Sequence, residues 1–470
     1  MTADRPTTDR PTTDRPTTDP IEARTGADAG LVRAVGLWGL AAGIVNVTIG
    51  GGIFRLPGSA AAVLGAAAPV AYVICAAAMA LIVLCFAEAG SRVARTGGLY
   101  AYVQVAFGPF VGFLCGVLLW AGITAAMSAV ASFLGDALGA LVPALGSPPA
   151  RGATIAFLVA VVTALNVAGV RGATRFNVAV TAAKLLPLAL FALGGAFVGH
   201  WHRATTGWTG MPAATSLARG SVLIIFAFLG VESALVPSGE VKDPARTVPR
   251  AIGMALVAIT IVYLAVQVVA QALLGSALAG DPNPLAHAAG VGFGAGGREL
   301  ILIGAAVSMF GYTSGMVLAV PRMLFAFGRD GFLPRAVARV HPRFRTPYVA
   351  IMAQGIIVIA LSLSGSFERL AIIANGSVLL VYAACVAAVL ELRRRDVRLA
   401  GERPFRAPLR GVVPILALAV IGWLLSGLEA REWIALALLA LLATVVFVVS
   451  RAGVRRHASA AAVLQGGPHD

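Results

Sequence analysis

The sequence predicts an all-α integral membrane protein of twelve spanning helices, the first and sixth of them broken. Three observations carry that prediction. The chain has 470 residues, is 59% hydrophobic and only 12% charged, and has a mean hydropathy of +0.87; a soluble globular domain does not carry that much apolar sequence. Runs of ~20 apolar residues, long enough to cross a bilayer as helices, recur from end to end. Inside the first run stands Gly50-Gly51-Gly52, and inside the sixth Gly230 is followed by Glu232. A spanning helix pairs its backbone polar groups internally because hydrocarbon offers no partner, so a break at that depth is tolerated only where the freed groups line a cavity or hold a ligand.

The runs fall at roughly 35–64, 68–90, 107–138, 151–170, 177–199, 219–240, 249–275, 299–326, 347–364, 368–391, 412–430 and 431–450. Residues 1–32 precede them as a polar tail repeating Thr-Thr-Asp-Arg-Pro with a period of five (Arg5, Arg10, Arg15). It is too polar and proline-rich to pack, and it has no apolar core region of a signal peptide. The transporter domain is expected over 33–450, with a second tail over 451–470.

The formal charge of +15 and a pI near 10.8 raise the question of nucleic acid. The distribution answers it. With the N-terminus placed in the cytoplasm and loops assigned alternately, the inner segments carry 28 of the 36 basic residues. The outer loops carry Arg151, Arg203, Arg219, Arg298, Arg369 and Arg431, while Arg55 and Lys184 fall within spans. That is the positive-inside asymmetry, which makes the basic balance a matter of topology in a cell membrane, with both termini cytoplasmic, and not of nucleic-acid binding. Cys75, Cys85, Cys115 and Cys385 all lie in spans and read as small packing residues. His200 and His202 form a lone His-x-His in an outer loop without further ligands, so neither a metal nor a cofactor is expected.

Broken helices in corresponding positions of two halves point to an inverted-repeat transporter with its substrate held at the midplane. Spans 1 and 6 fit a five-plus-five repeat that leaves spans 11 and 12 outside. Packing notches, where small residues let helices approach, are the alternative reading of the glycines.

Four motifs then occur in order. Ile49-Gly50-Gly51-Gly52-Ile53-Phe54 lies in span 1, and Arg95-Thr96-Gly97-Gly98-Leu99-Tyr100-Ala101-Tyr102 with Phe107-Gly108 precedes span 3. Gly239-Glu240-Val241-Lys242-Asp243-Pro244-Ala245-Arg246-Thr247-Val248-Pro249-Arg250-Ala251-Ile252 follows span 6, and Phe327-Gly328-Arg329-Asp330-Gly331-Phe332-Leu333-Pro334 follows span 8. With these motifs the chain, from about residue 33 to 450, resembles the amino acid–polyamine–organocation superfamily of secondary transporters. The resemblance implies a leucine-transporter-like fold that grips an α-amino acid by backbone.

The local chemistry agrees. If the inner half of span 1 ends near Thr48 and the outer half starts near Gly52, the new helix start offers free N–H groups and a positive dipole end to a carboxylate. Gly51, Gly52 and Ile53 are the expected carboxylate contacts; relatives of this kind often have Ser or Ala at the middle glycine, so Gly51 leaves only backbone there. The substrate ammonium is expected to meet carbonyls freed at both breaks, those of Thr48, Phe226, Ala227 and Leu229; the resemblance implies an aromatic gate at Phe226, the alternative being an ordinary lipid- or core-facing aromatic. The small residues Ala125, Ala126 and Ser128 of span 3 leave the side-chain preference open.

Lys184 stands inside span 5 and is one of two lysines in the chain. Desolvation disfavours the charged form of a buried ammonium, so protonation near neutral pH becomes reversible. By the resemblance, that ammonium replaces the cation which sodium-coupled members hold between helices 1, 5 and 8. Its partners would be carbonyls of 43–47 and the hydroxyls of Thr313 or Ser314. The alternative is a lysine snorkelling to the inner interface. Glu232 either carries a proton or hydrogen-bonds between helices in its protonated form. Arg55 either draws anions into the outer vestibule or pairs with an acidic residue, and Glu88 reads as interfacial structure.

The expected activity is proton-coupled uptake of amino acids by alternating access, with exchange of amino acids or amines without proton coupling as the alternative. The partners are thus a small-molecule substrate, protons and the lipid bilayer. A membrane enzyme would need a cluster of nucleophile, base or metal ligands within the spans, and none stands in the sequence.

Overall fold

The computed structural model describes residues 36–93, 99–168, 173–206, 208, 210–231, 244–397, 404–409 and 411–465, with backbone only for 173–183, 244–245, 318 and 451–465. Among them the regular elements are all helical. In chain order they are α1 (Leu37–Thr48), α2 (Gly52–Leu64), α3 (Ala68–Arg92), α4 (Leu99–Phe107), α5 (Pro109–Leu141), α6 (Pro148–Ala168), α7 (Ala173–Val198) and α8 (Trp201–Thr205). There follow α9 (Ala214–Ile224), which a 3-10 turn extends to Phe228, then α10 (Pro244–Leu274), α11 (Pro284–Ala319), α12 (Pro321–Arg329), α13 (Tyr348–Ser364), α14 (Phe367–Arg394), α15 (Val412–Leu425) and α16 (Ala430–Gln465). Seven described stretches are long and apolar enough to cross a membrane, and five shorter apolar helices accompany them.

Punctuation by proline and glycine explains the boundaries. A proline occupies the first or second position of α3, α5, α11 and α12, where its missing N–H would have no helical partner anyway. Gly65, at φ +54°, turns α2 into α3, and Gly108, at φ +88°, separates α4 from α5. Two elements differ from the sequence expectation. Residues 91–106, expected as a loop between spans 2 and 3, hold all but the last residue of α4, whose buried Leu99, Tyr102, Val103 and Ala106 recur at helical spacing. The eighth span, expected from 299, begins at Pro284, bends at Gly294 (φ 73°, ψ −165°) and ends before Pro321.

Packing sorts the helices into two groups around the breaks. In one, α1 lies on α10, α10 on α3, and α2 and α3 on α9. In the other, α5 lies on α14, α11 and α13, and α6 on α13. The core between them holds Phe54, Tyr72, Phe86, Phe133, Phe228, Tyr263 and Tyr382, all fully buried. One ion cluster ties the groups together. Glu88 of α3, with no exposed surface, accepts from Arg92 (3.1 and 3.0 Å), from Arg393 of α14 (2.7 and 2.6 Å) and from the Ala407 N–H (2.8 Å). A carboxylate so surrounded has charged or backbone donors on both oxygens, the condition under which a buried ion is sustained.

Candidate substrate site at the two helix breaks

The helix over 37–48 stops because Gly50 turns its N–H back to the Thr48 carbonyl (2.8 Å), and the next helix begins at Gly52. The Phe54 N–H bonds to the Gly51 carbonyl at 3.2 Å, while among the described residues the N–H groups of Gly51, Gly52 and Ile53 have no partner. Three amides at a helix start, backed by the dipole, form an anion cradle.

Opposite them the sixth span tightens to 3-10 geometry over Ile225–Phe228 and then breaks: Leu229 is extended (φ −64°, ψ 139°) and Gly230 has φ +108°. A side chain at 230 would press on Val47 and on the Thr48 backbone, at 3.2 and 3.4 Å, so glycine is what lets the second break lie against the first. Glu232 lies outside the described residues.

The two breaks enclose a cavity of about 40 Å³. Thr48, Gly51, Gly52, Ile53, Phe226, Ala227 and Leu229 all line it, and so do Ala126 and Val130 of α5, Tyr263 of α10 and Tyr312 of α11. Ala125 and Ser128 are not in its wall; the Ser128 hydroxyl donates to the Thr124 carbonyl of its own helix. Phe226 covers Gly52 closely enough that a Cβ there would come within 2.9 Å of its ring, and meets Phe367 edge to face at 5.5 Å. Among the described residues the Thr48 hydroxyl has no partner although it is buried, and a buried polar group in that condition calls for water or a ligand.

Tyr263 was not foreseen. Its hydroxyl, fully buried, donates to the Ala227 carbonyl at 2.7 Å and lies 3.2 Å from the Thr48 carbonyl, so one phenol spans both breaks. The signal was present as spacing: Tyr263, Gln267 and Gln271 follow at intervals of four and form a polar stripe on an otherwise apolar helix.

Lys184 is 7% exposed, and its ammonium donates to the Asn46 carbonyl of α1. Among the described residues no hydrogen bond joins it to Thr313 or Ser314; the Thr313 hydroxyl donates to the Met309 carbonyl at 2.8 Å. The structure therefore brings Lys184 to α1, the first half of the first span, and among the described residues leaves the α11 hydroxyls without a bond to it.

On the α2 side of the first break, Arg55 meets Glu368 of α14 at 2.9 Å, donates to the Pro282 carbonyl at 2.5 Å and lies 3.9 Å from Asp136 of α5. Ser59 donates to the same Glu368 oxygen at 3.0 Å, and Arg151 holds Asp136 at 2.5 Å. Arg55 is paired, and its pairing joins α2 to α14 and α5 above Phe226.

A cavity framed by two interrupted apolar helices, with backbone groups turned into it, is the architecture of a membrane transport protein. Residues 35–456 match the model of the family described as "Amino acid permease", and the chain belongs to that family, within the amino acid–polyamine–organocation superfamily. It is similar to the methylthioribose transporter of Bacillus subtilis (28% identical, 86% of this chain and 90% of that protein). It is likewise similar to the serine/threonine exchanger SteT (29%; 83% and 90%) and to the branched-chain amino acid permease BcaP (29%; 84% and 88%), both of the same organism. The chain is thus a multi-pass membrane protein of a family that transports small molecules such as amino acids.

Proposed function

We propose that this protein is a secondary active transporter that moves amino acids across the cell membrane by alternating access, coupled to protons. The observation that carries the reading is the facing pair of breaks: three unpartnered amides at 51–53 suit a carboxylate, and carbonyls at 48 and 227 suit an ammonium. Seven long and five shorter apolar helices support twelve crossings. The inverted five-plus-five repeat, leucine-transporter-like, is supported by packing between like positions of the two halves: α2 on α9, α3 on α10, α5 on α11 and α6 on α13. The bias of basic residues supports cytoplasmic termini.

We assign Lys184 the coupling role, because its ammonium is buried between α7 and α1, donates to a backbone carbonyl and forms no ion pair with a carboxylate among the described residues. Protonation there ties the inner half of the first span to α7, and loss of the proton releases it. Glu232 is the second candidate. Exchange of one amino acid for another, with Lys184 as a fixed charge, is the other reading, favoured by the similarity to an exchanger.

Uptake of an amino-acid panel into proteoliposomes with an imposed pH gradient tests this, alongside Lys184→Ala and Glu232→Gln. Proton coupling requires that an inward proton gradient accelerate uptake by the unaltered protein and not by Lys184→Ala. Counterflow indifferent to pH would favour exchange, and a Lys184→Ala variant with unchanged transport and pH response would remove the lysine from the mechanism.

A further inference from the structure

Three polar side chains follow one another at helical spacing on α10, Tyr263 and Gln267 with no exposed surface and Gln271 with 4%. Tyr263 serves the two breaks. Gln271 donates to the Gly65 carbonyl at the turn into α3 (3.1 Å), and its own oxygen has no partner among the described residues. Gln267 stands one turn from each, and among the described residues neither its amide nitrogen nor its oxygen has a partner.

The helices facing this stripe repeat the condition. Tyr72 of α3, fully buried, meets Tyr263 edge to face at 6.2 Å, and among the described residues its hydroxyl has no partner. One turn further along α3, Cys75 donates to the Ser221 carbonyl of α9 (3.3 Å); the buried Ser221 hydroxyl is likewise unpartnered among the described residues. Because Gln271 reaches Gly65 while Tyr263 reaches Tyr72, α10 and α3 run antiparallel here, and Gln267 lies at the register between those two contacts. Tyr72, Ser221, Gln267 and Gln271 are not among the residues lining the substrate cavity. Residues 232–243 lead from the second break to Pro244, which lies ~34 Å from Gln267 along α10.

We propose that the seam between α3, α9 and α10 is a binding site for buried water, held by Gln267, Tyr72, Ser221 and the Gln271 oxygen. About two molecules, each making about three hydrogen bonds, match the polar atoms on offer. The atoms themselves select the ligand. The Gln267 nitrogen only donates, the two amide oxygens only accept, and the two hydroxyls do either. A halide would suit the donors and be repelled by both amide oxygens; a sodium ion would suit the oxygens and face an N–H₂. Water serves both kinds and brings no charge that would need a counter-ion. The site bears on the breaks from behind, since Tyr72 backs the ring whose hydroxyl spans them. It stands whatever solute the protein carries.

The test is X-ray radiolytic labelling of the full-length protein in detergent, read by mass spectrometry, with H₂¹⁸O mixed in before exposure. A buried ring is oxidised only where a water lies beside it. Tyr72 should be labelled at least about tenfold faster than Phe191, a buried ring that meets Phe293 at 6.5 Å, and should take up ¹⁸O more slowly than the exposed Trp38. Gln267→Leu should slow Tyr72 labelling at least about threefold, because the water loses two of its partners. Ser221→Ala, which removes one partner, should slow it less. Tyr72 labelled no faster than Phe191 would mean a dry seam and overturn the proposal by itself, with no variant needed. Undiminished labelling in both variants overturns it too. A Tm that shifts when chloride is replaced by gluconate, or sodium by choline, and loses that shift in Gln267→Leu would assign the seam to an ion and overturn the assignment to water.

Discussion

The Tyr263 hydroxyl donates to the Ala227 carbonyl at 2.7 Å, and the same oxygen stands 3.2 Å from the carbonyl of Thr48. A single donor thus stands between two chain breaks that have no helical partners to give each other. Both carbonyls are ones to which the substrate ammonium is assigned, so the phenol and an ammonium would share the same acceptors. The ring is fixed from behind by Phe228 and Tyr72, at 5.4 and 6.2 Å.

Tyr263→Phe keeps those ring contacts and removes only the donor. Leaving a buried carbonyl unpaired costs about 1–3 kcal/mol. The variant should therefore unfold at lower temperature in detergent, with the deficit reduced by saturating substrate if an ammonium takes over the vacated carbonyls. Uptake should then show a lowered KM, since a substrate that stabilises the variant more than the parent binds it more tightly. A Tm equal to that of the unaltered protein would mean the hydroxyl contributes nothing to the breaks.

The outer ion pairs make a second prediction. Arg55 is 13% exposed and Glu368 31%, so their attraction is partly screened, and a coupling of about 1 kcal/mol is expected. Arg55→Ala also abandons the Pro282 carbonyl and Asp136, whereas Glu368→Gln keeps an oxygen for Arg55 and for Ser59. With the proposed topology, opening of the outer side should follow in that order. A cysteine at Ala126, which lines the cavity, should react faster with an impermeant thiol reagent applied outside in Arg55→Ala than in Glu368→Gln. Equal labelling in both and in the parent would show that the pair does not restrain this side.

Much of this architecture is legible in the residues alone, for physical reasons. Apolar runs must be helices in lipid, and Gly50-Gly51-Gly52 and Gly230 announce breaks because backbone pairing fails there. The residues expected at the substrate site meet in one cavity because those two breaks face each other. What the chain does not display is the partner across space. Tyr263 lies 36 residues from Ala227 and 215 from Thr48, and Arg55 lies 313 from Glu368, separations over which local pattern carries no signal. Met309, whose Cγ stands 2.5 Å from where a Cβ on Gly51 would lie, is hidden for the same reason, since an apolar residue in an apolar run looks the same whether it faces lipid or packs against a glycine. The helix over 99–107 was hidden differently, its amphipathic face being shorter than a span.

Glu88 offers the sharpest test of what holds the two helical groups together. Its carboxylate is fully buried and takes donors from Arg92, Arg393 and the Ala407 N–H, so it joins α3 to the C-terminal end of α14 and to the 404–409 segment. Glu88→Ala leaves two guanidinium groups and a backbone donor around an empty space; breaking a buried ion cluster by removing one sign costs about 3–5 kcal/mol. Glu88→Gln keeps one acceptor oxygen but turns an amide N–H₂ toward the arginines, so it should recover little of the loss. Replacing all three side chains by leucine removes the stranded charges as well as the pairing, and should be less damaging than Glu88→Ala alone. The measurement is thermal unfolding in detergent for the four proteins. If Glu88→Ala matched the parent, the inner ends of α3 and α14 would have to be held by apolar packing alone. If the triple variant fell below Glu88→Ala, the cluster would be net stabilising and not merely self-compensating.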